Sequence, residues 1–144
     1  GGILMKNKLR KGKFLILGLI AGAFVSASSV SAQTRDFLFH MDTSYGHGKF
    51  PNCGYSATKA DDEQAAYITV TKFQKVQNPT ISMWVAPYGG TTEYTFPWSW
   101  TSTAPRKKLE YISWMGFRPT GSRHQLCAEQ FYSGSVVMGG RWTP

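Results

Sequence analysis

This chain has few of the residue types from which active sites are usually built. Its 144 residues hold 2 cysteines, 3 histidines and 8 acidic side chains against 16 basic ones. Neither cysteine lies in a CxxC pair or beside a histidine, so dithiol redox chemistry and a thiolate zinc site have no motif here. His40 and His47 flank a turn and His124 is far away, which is not the HxxxH or HExxH spacing that offers two imidazoles to one metal. A GxSxG elbow for a serine nucleophile is missing. His124 follows Gly121-Ser122-Arg123 at a strand start, where a surface or cross-strand imidazole is expected. The one acidic cluster, Asp61-Asp62-Glu63, lacks the alternating pattern that wraps calcium. It reads as a solvated turn, or a single helical turn over 61–66 capped by Thr58 or Asp61. No two acids are recognisably paired for glycoside hydrolysis. These absences assign no catalytic residue, no metal and no cofactor, and they favour a non-enzymatic protein.

Long hydrophobic runs are also scarce. The single one, 14–25, follows a basic stretch (Lys6, Lys8, Arg10, Lys11, Lys13) and precedes Ser-rich sequence ending Val30-Ser31-Ala32. That is the layout of a secretory signal peptide over residues 5–32, cut before Gln33, and it predicts a secreted, extracellular protein. An uncleaved anchor is the competing reading, against which the Ser/Ala-rich end argues. Gly1-Gly2-Ile3-Leu4 back-translates to a purine-rich ribosome-binding site with a short spacer before Met5. Residues 1–4 are therefore expected to be an over-called start in a Gram-positive source, with a cloning remnant or genuine N-terminus as the other reading.

Removing the leader takes five basic residues and no acidic ones, which leaves a net charge of about +3 on residues 33–144. So small an excess gives nucleic-acid binding little support. No second run there approaches the ~20 residues of a membrane span, so no transmembrane segment is expected after processing. Oligomeric state is left open by the sequence. About 112 residues make a single domain. Cys53 and Cys127, an even count in an oxidising compartment, predict one disulfide. Closing a loop of about 75 residues is worth on the order of 4 kcal/mol in chain entropy, and the bridge is expected to tie the two ends of the domain together.

The residues that are present alternate with period 2. Phe37, Phe39 and Met41 share one face, as do Ala66, Ile68 and Val70, and 81–85 alternates likewise. Further strands are expected at 92–96, 108–114, 124–130 and 134–138, with a weaker one at 55–59. Turn signals separate them: Asn52-Cys53-Gly54, Asn78-Pro79, Gly89-Gly90 and Pro119-Thr120-Gly121. About seven to eight short strands without a convincing helix predict an all-β antiparallel β-sandwich or jelly roll. Same-parity apolar positions place Phe37, Phe39, Ile68, Val70, Met83, Val85, Leu126 and Val136 in its core.

The segment 94–108 is the most unusual: Phe96, Trp98 and Trp100 stand beside prolines and a basic triplet, Arg106-Lys107-Lys108. Exposed indoles would offer a platform to a sugar ring or lipid interface, and the cations would offer phosphate contacts. The alternative is that Trp98 and Trp100 close one end of the core while Arg106, Lys107 and Lys108 keep a sheet edge soluble. Tyr45-Gly46-His47-Gly48 partly matches the Tyr-Gly-Asn-Gly-Val-x-Cys box of pediocin-like bacteriocins. His47 and Lys49 replace Asn and Val and Cys53 falls too late, so the match is treated as coincidence.

A broader likeness covers most of 33–144. Lys59-Ala60-Asp61-Asp62-Glu63 leading into Ala66-Tyr67-Ile68-Thr69-Val70-Thr71, with the tail Gly134-Ser135-Val136-Val137 and Gly140-Arg141-Trp142-Thr143-Pro144, resembles a group of small secreted Gram-positive proteins of unknown function. Some members are encoded beside lactococcin-type β-sandwich bacteriocins and their transporters. The resemblance implies a bacteriocin-like or bacteriocin-associated interaction protein and carries over no catalytic residue. The expected partner is a cell-envelope glycan or an anionic lipid or polymer. A small carbohydrate-binding or adhesin-like module is the alternative.

Overall fold

The computed structural model describes residues 33–46 and 49–144; the expected leader, with His47 and Gly48, lies outside them. Eight strands follow in order: β1 (Arg35–Met41), β2 (Asn52–Thr58), β3 (Ala65–Gln77), β4 (Thr80–Pro87), β5 (Trp98–Trp100), β6 (Ala104–Glu110), β7 (Arg123–Phe131) and β8 (Gly134–Thr143). They form two four-stranded antiparallel sheets, β1-β8-β3-β6 and β2-β7-β4-β5, packed as a sandwich.

Alternation decides which side chains meet between the sheets. All eight expected core residues, Phe37, Phe39, Ile68, Val70, Met83, Val85, Leu126 and Val136, are buried there, joined by Met41, Ile81, Trp100, Leu109, Met138 and Trp142. A one-residue slip would turn each set to solvent, so the pattern itself fixes the register. On the β1/β2 side, Tyr55 closes the seam. It sits at an irregularity in β2 between Gly54 and Ala57 with φ of 56°. That conformation is uncommon for a residue with a Cβ and costs on the order of 1 kcal/mol. In return its ring meets Phe39 edge-on at 5.1 Å, its hydroxyl donates to the Leu38 carbonyl at 2.5 Å, and its carbonyl accepts the Trp142 indole N–H at 2.8 Å.

Several expectations are corrected. Residues 92–96 are not a strand: only Thr95 forms a bridge, to Tyr111, and the paired strand is β5, just past Pro97. The strand expected at 108–114 begins earlier, as β6, and ends before a 3-10 turn at Ser113–Met115. No helical turn forms at 61–66, because the carboxylates bind turn amides instead. Asp61 accepts from the Glu63 N–H at 2.9 Å, and Asp62 accepts from the N–H and hydroxyl of Thr120 at 2.7 and 2.9 Å.

Cys53 and Cys127 are joined, as expected, with a Cα separation of 4.1 Å. Yet they face each other directly across β2 and β7, so the bridge staples neighbouring strands of one sheet rather than the ends of the domain. It lies on that sheet's outer face with Trp84 and Ala86 as a second small cluster. The 88–93 loop packs against it: the Trp84 indole donates to the Thr91 carbonyl at 3.0 Å, and the Gln125 amide donates to the Gly90 carbonyl at 2.6 Å.

Candidate functional site

Strands β5 and β6 each have one strand neighbour and form the last strands of their sheets. Residues 101–103 turn the chain from one to the other, so both edges lie on the same side of the sandwich. Along β5, Ser99 points outward and meets Ser82 at 2.8 Å, whereas Trp100, opposite Ile81, is only 4 % exposed and belongs to the core. Trp98 has the same parity but stands at the open start of the strand after Pro97, and it remains 50 % exposed.

The basic triplet is divided by the same alternation. Lys107 pairs with Ile68, a core position, so its stem points into the seam between the sheets. Its ammonium ends 3.5 Å from the centre of the Trp98 ring, a cation–π contact on an apolar stem. Arg106 and Lys108 point outward. The Arg106 guanidinium lies 3.8 Å from the Tyr67 ring centre, and Lys108 Nζ is 3.6 Å from Glu63. Tyr67 in turn donates its hydroxyl to Glu63 at 2.5 Å, which lowers the Glu63 pKa and raises that of Tyr67. Trp98 and Lys107 line two shallow hollows along the seam, of about 370 and about 270 Å³. Phe96 and Lys108 contribute to the larger, Trp100 and Arg106 to the smaller.

Three aromatic or cationic neighbours escaped the sequence reading. The Thr95–Tyr111 bridge and the Ile112 N–H to Tyr94 carbonyl bond (2.8 Å) hold the approach to β5 against residues 111–117. This brings Trp114, 74 % exposed, to 5.6 Å from Phe96 with their rings at 67°. Phe117, also well exposed, follows across the 3-10 turn, and Arg118 lays its guanidinium 3.4 Å from the Tyr94 ring centre. The local signal lies past the expected strand, where Met115, Gly116 and Phe117 break the period of two that Ile112 and Trp114 still keep.

A second cluster is buried at this end. Lys59, just past β2, is 0 % exposed; its ammonium donates to the Glu63 carbonyl at 2.5 Å and lies 3.6 Å from the Asp61 carboxylate. His124, expected at the surface or across a strand, takes the cross-strand place opposite Ala57 and Pro87, is 1 % exposed and sits against the Tyr111 and Tyr94 rings, 5.5 and 5.9 Å away between centres. Ser122 Oγ lies 2.6 Å from the Pro119 carbonyl and 2.8 Å from His124 Nε2. The hydroxyl's single proton goes to the carbonyl, so Nε2 carries a proton and donates. Burial, and then the positive charges of Lys59 and Arg118, hold the imidazole pKa down to about 4. Burial pushes the Tyr111 phenol up. A serine whose proton is committed elsewhere, beside a histidine acting as donor, is not an activated nucleophile. Among the described residues, no group of three or more His, Cys, Asp or Glu could hold a metal.

No family model matches this chain, and no curated protein or solved structure matches it either.

Proposed function

We propose that this chain is a secreted, non-enzymatic interaction protein, bacteriocin-like or bacteriocin-associated, that engages an anionic component of a cell envelope through the β5/β6 edge. The observation that carries this reading is the Trp98–Lys107 pair, a half-exposed indole with an ammonium on its ring, lining both seam hollows. Aromatic surface supplies contact area, and the cation selects a partner by charge. Arg106 and Lys107 each rest on an aromatic ring, which leaves their charge available to an anion. The resemblance to secreted Gram-positive proteins and the single disulfide point the same way. A carbohydrate-binding or adhesin-like module is the second reading, favoured by an indole lining a groove.

The test is sedimentation with purified envelope fractions. Trp98→Ala combined with Lys107→Gln should lose binding to anionic material while keeping the native fold. Trp100 is left unchanged, because its removal would open the core. Undiminished binding by this variant overturns the reading.

A further inference from the structure

The rings at this end of the sandwich are poorly disposed for stacking. A sugar needs an open, flat aromatic face, yet Lys107 sits on Trp98 at 3.5 Å and Phe96 meets Trp114 at 67°, so the exposed rings share no plane. Phe96, Trp98, Trp114 and Phe117 nonetheless keep half or more of their surface in water. So much exposed aromatic surface on neighbouring loops is unusual for a protein without a partner there. The interfacial zone of a bilayer makes no demand for coplanarity. It takes apolar ring volume between the acyl chains, accepts indole N–H groups at the headgroup level, and receives lysine and arginine stems whose charges reach back to phosphates.

Charge selects among bilayers. Lys107 and Lys108 line the larger hollow beside Phe96 and Trp98, and Arg106 lines the smaller beside Trp98, against Glu110 in the larger hollow and Glu63, which holds Lys108. The excess is positive, and each cation held near an anionic surface adds to the attraction. We infer that Phe96, Trp114 and Phe117, with Trp98 at their edge, insert into the interfacial zone of an anionic phospholipid bilayer. This inference rests on the proposed envelope-binding function and names the partner.

Tryptophan fluorescence tests it in the proposed secreted chain, residues 33–144, which holds every tryptophan of the sequence. Trp84, Trp100 and Trp142 are buried, so a change on adding vesicles reports Trp98 and Trp114. The probes are phosphatidylcholine vesicles with and without phosphatidylglycerol, acyl chains brominated or plain, and soluble poly(glycerol phosphate). Phosphatidylglycerol vesicles should shift emission to the blue and brominated chains should quench it, both strongly reduced with pure phosphatidylcholine. Trp114→Ala with Phe117→Ala should weaken vesicle binding at least tenfold, and Lys107→Gln with Lys108→Gln should weaken it and reduce its salt dependence. Absence of quenching by brominated chains overturns the bilayer inference, as does equal quenching without the anionic lipid. If the soluble polymer binds and Trp98→Ala alone abolishes that binding, the bilayer inference fails while the envelope reading stands. If neither vesicles nor polymer bind, both fail.

Discussion

His124 should make this protein sensitive to mild acid. The imidazole is 1 % exposed, donates through Nε2 to Ser122 at 2.8 Å and has two cations nearby. Its pKa is held at about 4 in the fold, whereas an unfolded chain restores the ordinary 6.5. Between these values the unfolded state binds the extra proton, so stability is intact above about pH 6.5 and falls as pH drops towards 4. Linkage puts the loss at roughly 1 kcal/mol at about pH 5.5 and roughly 2–3 kcal/mol at about pH 4.5. The carboxylates act in a lower window. Asp42, Asp62 and Glu63 have pKa values lowered by hydrogen bonds from Ser44, Thr120 and Tyr67, so their contributions are present above the ordinary carboxylate range and are lost only below it. Urea unfolding across this range, at constant m-value, measures the loss as a falling midpoint. In His124→Gln, whose amide still reaches Ser122 but does not titrate, the upper window should be flat. A wild-type midpoint unchanged from neutral pH to about 4.5, or a slope that persists in His124→Gln, refutes the argument.

Trp100→Ala should cost roughly 3–5 kcal/mol, as expected for a core aromatic, whereas Trp98→Ala should cost less than about 1 kcal/mol; equal urea midpoints would contradict the placement of the two rings. Replacing both Cys53 and Cys127 by Ala should lower stability by about 2–5 kcal/mol without changing the far-ultraviolet dichroism of the sheets. Gly140→Ala should destabilise strongly, because an added Cβ would run into the Thr69 carbonyl oxygen in the β3–β8 ladder; calorimetry showing an unchanged melting temperature would overturn that.

Most of the sandwich was legible because its central strands obey a period of two. Ile68 and Val70, or Met83 and Val85, stand two apart and are buried on one side, and nothing but the facing sheet is needed to explain them. The edge was harder to read. Trp98 and Trp100 have identical spacing and parity, yet one is core and the other surface, because the outcome depends on where β5 begins relative to the facing sheet. Pairing could not be read from Arg106-Lys107-Lys108 either. Three adjacent cations suggest one patch, but a strand sends the middle one into the seam and its neighbours outward. Trp114 and Phe117 became relevant only through the Thr95–Tyr111 bridge, a long-range contact without local sequence signature. The burial of His124 was not legible for a related reason: it arises from Lys59, Tyr94 and Tyr111, which converge from separate segments.

The order of strands in the first sheet has a consequence for synthesis. β1 pairs with β8, and β8 is also the long partner of β3, so the first and last of the described strands lie side by side. Thr34 and Thr143, whose hydroxyls meet at 3.1 Å, are 109 residues apart. A growing chain thus carries β1 and one edge of β3 without their final neighbour until β8 appears. Such distant pairing slows folding, and unpaired strand edges favour aggregation while they wait. Correct closure between Cys53 and Cys127 is similarly deferred until β7 lies against β2. Productive folding therefore waits for β8, and loss of 134–143 would do far more damage than a lesion of equal length in β1, since it removes the sole partner of β1 and one of the two partners of β3, whereas β8 without β1 still has β3.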